Sequence, residues 1–263
     1  MSVNAEIGII GGTGIYDPKL LKDSEQIEIN TPYGNPSAAI VVGTLGGKKI
    51  AFLNRHGPGH KIPPHMVNYR ANIWALKKLG VSRILAATAV GSLVEEYAPG
   101  DLVVLDQFID RTHGRPSTFY ENGQVCHISV ADPFCEELRN LFIKTGRKLN
   151  YPIHEKGTQV CVNGPRFSTR AESLMFRQWG AHTINMTIVP ECVLAREQEI
   201  CYASVAMITD YDCWKDHNVS IEEIISTMKK NEEKVKNILI KTIEQVPKER
   251  TCACKDALKG ALI

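Results

Sequence analysis

SRILAATAVGS, residues 82–92, is an almost unbroken apolar stretch that ends in a small, hydroxyl-bearing and glycine-containing tip. A strand with one face in water alternates apolar and polar residues, whereas a strand covered on both faces has no need to. The same character recurs in EIGIIGG from Glu6, KKIAFLN from Lys48, DLVVLDQFI from Asp101, GTQVCVNG from Gly157, HTINMT from His182 and CYASVAMITD from Cys201. Buried strands of this kind need helices on both sides, and the intervening sequence supplies helical patterns.

Tyr69, Ile73, Leu76 and Leu79 repeat at helical spacing. Asp132-Pro133 reads as an N-cap followed by proline in the first turn, with Phe134, Leu138, Leu141, Phe142 and Leu149 along one face. Ser220 and Glu223 have capping-box spacing. They precede a helix expected to bury Ile221, Ile224, Ile225, Met228, Val235, Ile238, Leu239 and Val246 before Pro247 ends it. The expected fold is α/β: a single-domain three-layer α/β sandwich over residues 1–263, with a central mixed, mostly parallel sheet. Residues 248–263 form a short C-terminal tail carrying a C-x-C, Cys252 and Cys254.

Composition narrows the function. With 31 basic and 29 acidic side chains the net charge is +2, and no basic run suggests a nucleic-acid partner. No apolar run approaches the roughly 20 residues that span a bilayer, and MSVNAEIGIIGG lacks the pattern of a secretion signal, so a cytoplasmic location is expected. The 8 cysteines lack the paired spacing of a zinc site, so no metal is expected. Most read as small buried side chains. Their number in a cytoplasmic chain also fits a heat-adapted source, where intracellular disulfides occur.

Candidate functional groups cluster where apolar strands end. Gly11-Gly12-Thr13-Gly14 offers backbone N–H groups and a hydroxyl to an anion, but it is neither a dinucleotide fingerprint nor a P-loop. Arg55-His56 adds a guanidinium fork and an imidazole, and His60 lies close by. Thr88-Ala89 closes one strand and Asn185-Met186-Thr187 another, where ligands bind in open α/β sheets. Phe167 precedes a Thr169–Glu172 capping box, where its ring could stack on a planar ligand or serve as a staple. Asp210 and Asp212 follow a very apolar strand, and two carboxyls there are costly unless they bind something. Donors suited to an oxyanion and carboxyls suited to an amine, without a nucleophile triad, fit a reaction whose nucleophile is itself a bound anion.

IGIIGGTGIYDP from Ile7, TPYGNPS from Thr31, RHGPGHKIPPHMVNYRANIWALK from Arg55, AVGSL from Ala89, GDLVVLDQFIDRT from Gly100, ADPFC from Ala131, GPRFSTRAES from Gly164, NMT-x-VPE from Asn185 and TDYDCW from Thr209 occur in order along the chain. In these motifs the sequence resembles the methylthioadenosine/purine nucleoside phosphorylases of the trimeric type. The resemblance implies phosphorolysis of 5'-methylthioadenosine to adenine and 5-methylthioribose 1-phosphate, in methionine and purine salvage, by a homotrimer or a dimer of trimers. Inorganic phosphate would be a co-substrate, with no cofactor.

By the same resemblance, Thr13, Arg55, His56, Thr88, Ala89 and Thr187 hold phosphate, and Met186 lies against the ribose. Phe167 and Ser168 line the base pocket. Asp210 and Asp212 contact N7 and the 6-amino group, and one of them serves as the catalytic acid. His60 lies near the sugar's 5' end, Ile221, Ile224 and Ile225 wall the methylthio group, and His127 reaches a neighbouring subunit's site. Heat-adapted members imply disulfides Cys135–Cys201 and Cys252–Cys254. Asp210 favours adenine nucleosides, since a carboxylate accepts from a 6-amino group and opposes a 6-oxo group. The alternative is a 6-oxopurine or broad-specificity purine nucleoside phosphorylase.

Overall fold

The computed structural model describes residues 4–12, 20–121, 123–215 and 219–263. Eleven strands form one sheet: β1 (Ile7–Gly11), β2 (Lys22–Ile27), β3 (Ile40–Leu45), β4 (Lys48–Asn54), β5 (Arg83–Ser92), β6 (Leu102–Val104), β7 (Gln107–Arg111), β8 (Ile153–His154), β9 (Thr158–Val162), β10 (Thr183–Asn185) and β11 (Cys201–Asp210). The main path runs β2-β3-β4-β1-β5-β10-β9-β7, and β11 pairs with β5 and with β6. Six of the pairings are parallel and four antiparallel. The sheet is therefore mixed and mostly parallel, as expected.

Side chains along the central strands leave alternately to the two faces. From β5, Ile84, Ala86 and Val90 join one cluster, and Leu85 and Ala87 join the other. In β11 the same split separates Tyr202, Ala206 and Ile208 from Ala203, Val205 and Met207. Helices α1 (Tyr69–Lys78) and α4 (Ile188–Glu197) cover the first face through Ile73, Leu76, Leu194 and Ala195. Helices α2 (Glu136–Lys148) and α5 (Ile221–Gln245) cover the second through Leu138, Phe142, Val235, Ile238 and Leu239. A smaller cluster seats α3 (Arg170–Gln178) through Phe176 against Val160 and Ile184. These are the three layers that the two-faced apolar strands required. No helix among the described residues is long and apolar enough to cross a membrane.

Four expectations need correction. Helix α2 starts after Cys135 and not at Pro133, because the Cys135 amide donates to Tyr202 O at 2.8 Å and holds that residue extended beside β11. DLVVLDQFI is two strands: β6 runs against β11, while β7 leaves to pair with β9. The first turn of α5 is not in the core, since Ile221 is 60% and Ile225 44% exposed.

The implied disulfides are absent. All eight cysteines are free thiols, and Cys135, Cys201, Cys252 and Cys254 lie together as one group instead of two bonded pairs. The Cys201 and Cys252 sulfurs, one from each implied pair, are 3.3 Å apart.

Candidate active site

Parallel strands that start at one edge of a sheet also end at one edge, so the residues that follow them are neighbours. Here a cavity of about 620 Å³ opens beyond the ends of β1, β4, β5 and β11. Its wall includes Gly12 after β1, Arg55 and His56 after β4, Thr88, Ala89 and Gly91 in the far half of β5, and Asp210 and Asp212 at and just after the end of β11. Strand β10 enters antiparallel at the tip of β5, pairing Thr183 with Ser92, and thereby delivers Asn185, Met186 and Thr187.

One end of the cavity is built from donors around a buried cation. The Arg55 amide donates to Gly11 O at 3.0 Å, which fixes the turn after β4 against β1. Arg55 is 1% exposed, and its fork is already engaged: Nε and Nη2 each donate to Glu191 at 2.7 Å. Tyr202 Oη donates to the same carboxylate at 2.6 Å. Burial works against the Arg55 charge, but the Glu191 carboxylate outweighs it and holds the guanidinium above its ordinary pKa. The expectation of a free fork for an anion therefore changes: Arg55 lies beneath the cavity as a fixed cation whose remaining N–H groups are the ones a ligand can use.

His56 Nδ1 lies 2.9 Å from Ile62 O, and a carbonyl can only accept. Burial, and after it the Arg55 charge, push the His56 pKa down to about 4. The ring is therefore neutral near pH 7 and turns an unprotonated Nε2 outward, an acceptor where the sequence suggested a donor. Thr88 Oγ1 is buried without a hydrogen-bond partner in the protein. Thr187 N-caps α4 without spending its hydroxyl on the helix. Thr13 lies outside the described residues.

The other end holds the carboxyls, and both aspartates are 4% exposed. Asp210 accepts from the Asp212 amide at 2.8 Å and from Thr209 Oγ1 at 2.7 Å. Burial raises the Asp210 pKa from 3.8 to about 6, and the two hydrogen bonds restrain the rise. Burial also raises Asp212, which sits at φ 50°. A Cβ on Gly91 would lie 3.0 Å from Asp210 Oδ1 and 3.1 Å from Ile184, so glycine is what lets β5 pass this close to the pair.

Between the ends lie Met186, Phe167 and Ser168, with His60, Ile221, Ile224 and Ile225 at the rim. His60 stacks on His56 at 4.2 Å between ring centroids. Thr169 and Glu172 form the expected capping box, which fixes the segment carrying Phe167. His127 is exposed and lies outside this cavity, where its amide donates to Ala261 O at 2.8 Å.

Several positioning groups were not singled out from the sequence. Glu191 is one; its signal is an acid inside the apolar run IVPECVLA. Arg115 is another: Nη2 donates to Asn163 O and Met186 O, both at 2.8 Å, and Nη1 donates to Val189 O, which ties the segment after β9 to the segment from β10 into the start of α4. Nothing in the local sequence around Arg115 marks it.

The strand ends of one α/β sheet thus bring Arg55, His56, Thr88 and Thr187 into one cavity with the buried carboxyls of Asp210 and Asp212. The chain belongs to the Phosphorylase superfamily, whose sequence model matches residues 6–244. It is 54% identical to the S-methyl-5'-thioadenosine phosphorylase of Hyperthermus butylicus, over 100% of this chain and 97% of that one. It is 55% identical to the enzyme of the same name from Nitrosopumilus maritimus, over 99% of each chain. Its structure superposes with a TM-score of 0.92 on a mutant of the adenosine/methylthioadenosine phosphorylase of Schistosoma mansoni in complex with methylthioadenosine, at 42% identity over 98% and 97% of the two chains.

Proposed function

We propose that the chain cleaves 5'-methylthioadenosine with inorganic phosphate, releasing adenine and 5-methylthioribose 1-phosphate. One observation carries this reading: a single cavity joins Arg55, His56, Thr88 and Thr187 at one end to the buried Asp210–Asp212 pair at the other. The two ends suit the nucleophile and the leaving group of the same displacement. The names of the relatives support the choice of nucleoside.

Phosphate rests on Thr88, the Ala89 amide, Thr187, His56 and the free N–H groups of Arg55. The ribose lies over Met186, with His60 toward its 5' end. The adenine lies between Phe167 and Ser168 and the two aspartates, and Ile221, Ile224 and Ile225 close on the methylthio group. A hydroxyl placed there would lack a partner, which favours the thioether.

Phosphate held under C1' attacks as the glycosidic bond opens, a proximity effect. The departing purine builds negative charge that a proton at N7 relieves. Asp210, with its pKa pushed to about 6, is the group suited to give that proton, while Asp212 accepts from the 6-amino group. The balance closes: C1'–N9 breaks, C1'–O forms with inversion, the Asp210 proton ends on adenine, and the proton that hydrogenphosphate brought leaves the sugar phosphate and restores Asp210.

The reading includes one domain over 1–263 with a tail at 248–263, a cytoplasmic homotrimer or dimer of trimers, phosphate as co-substrate and no cofactor. In such an assembly His127 extends into a neighbouring subunit's site. Adenine release from methylthioadenosine, with and without phosphate and beside inosine, tests it. Phosphate-dependent release with weak inosine cleavage is expected. Release without phosphate would mean hydrolysis, and strong inosine turnover would assign a 6-oxopurine or broad-specificity purine nucleoside phosphorylase.

A further inference from the structure

Away from the cavity, three distant parts of the chain bring four thiols into one group. Cys135 precedes α2, Cys201 opens β11, and Cys252 and Cys254 come from the C-terminal segment. Their sulfurs all lie within 4.8 Å of one another, with Cys201 and Cys252 at 3.3 Å. We propose that these four cysteines form a tetrathiolate site for a soft divalent metal ion, zinc being the one that fits best.

The dimensions agree. Zinc binds thiolates at about 2.3 Å in a tetrahedron, which places the sulfurs roughly 3.8 Å apart. The observed group needs only small side-chain adjustment to reach that spacing. Three of the four residues are buried, so water has little access.

The surroundings suit an anionic centre. Four thiolates around a divalent ion carry two net negative charges. Cys135 holds the N-cap position of α2 without donating or accepting there through its side chain, and a helix N-terminus favours a thiolate. Arg196 Nη1 reaches within 4.0 Å of the Cys254 sulfur. Arg83, register partner of Cys201 in the neighbouring strand, is 1% exposed, and its Nε and Nη2 have no hydrogen-bond partner. Its charge is paired with Glu6 and, at 4.0 Å, with Glu137, so Arg83 adds a neutralised cation near the strand that carries Cys201 and no free one.

Binding exchanges S–H bonds for S–metal bonds and releases the thiol protons to solvent. The ion would cross-link the starts of α2 and β11 to a segment whose end already pairs with the His127 region, through the Cys126–Leu262 bridge. The site is independent of the reaction proposed above.

Metal analysis of the full-length protein tests the proposal. The expected result is about one zinc per chain, lost in the Cys252→Ser/Cys254→Ser variant. Should that variant fail to fold, Co²⁺ is titrated into reduced, chelator-stripped wild-type protein. The visible bands of a tetrahedral tetrathiolate cobalt centre are then expected. Three results would each overturn the assignment: metal-free protein that gives no such bands, metal content unchanged by the double substitution, or a metal-free chain lighter by four hydrogens, which would mean two disulfides.

Discussion

Asp210→Asn separates what the site does from what the fold tolerates. In the folded chain Asp210 keeps its proton to a pH of about 6, against 3.8 for a free aspartate. The contribution of its neutral form to stability is intact below pH 3.8 and is lost as pH rises through about 6. At 1.36 kcal/mol per pH unit, holding the ionised carboxylate at pH 8 costs roughly 3 kcal/mol.

Asparagine removes that charge and can keep the network. Its Oδ1 still accepts from the Asp212 amide, and its Nδ2 can donate to Thr209 Oγ1, which already lies 3.1 Å from Val90 O and can turn its own proton there. The variant is therefore expected to be more stable than wild type by roughly 3 kcal/mol at pH 8, or about 6–12 °C in Tm, and by well under ~1 kcal/mol at pH 4. Its kcat on methylthioadenosine is expected to fall by roughly 10²–10⁴. Thermal and urea unfolding across pH 4–8, run beside the kinetics, measures both. A stability difference that is flat with pH would refute the idea that the fold penalises this charge, whatever the kinetics give.

Glu191→Gln leaves the Arg55 charge buried without its carboxylate, so stability is expected to drop by about 3–5 kcal/mol in denaturant titrations, with the phosphate KM raised far more than the nucleoside KM. Because His56 stays neutral above about pH 4 and presents an acceptor, it suits a protonated phosphate oxygen. Sulfate, which carries no proton at neutral pH, should then inhibit at least about tenfold more weakly than phosphate binds, and equal affinities would contradict the acceptor role. Ile225→Thr places a hydroxyl at the cavity rim, and the preference for methylthioadenosine over adenosine in kcat/KM is expected to fall roughly tenfold; an unchanged ratio would move the 5' pocket elsewhere.

The central strands were legible because burial on both faces leaves its mark on composition, as in Arg83–Ser92 and Cys201–Asp210. The edge was not. Strand β2, KDSEQI, is almost wholly exposed and has no apolar pattern to read; it is a strand because β3 pairs with it. The start of α2 was misplaced for the opposite reason: Asp132-Pro133 is a good local cap signal, overridden by the backbone bond from Cys135 to Tyr202. The cysteines repeat the lesson at longer range. Their spacing gives no hint of a cluster, since the contact depends on where a C-terminal segment lies against two elements far back in sequence.

The site divides along the same line. Residues that follow parallel strands of one sheet must share an edge, so the grouping of Gly12, Arg55, Thr88 and Asp210 follows from the strand pattern once those strands are known to be parallel. Met186 and Thr187 follow a strand that runs the other way, against the tip of β5. They reach the cavity because β5 is ten residues long and outlasts its parallel partner β1, leaving Gly91 and Ser92 free to pair with β10. A shorter β5 would keep the Arg55 end and lose Thr187 from it. The glycine at position 91 serves both neighbours: it pairs with Ile184 and leaves room for the Asp210 carboxyl, so the strand that receives β10 also admits the carboxyl pair.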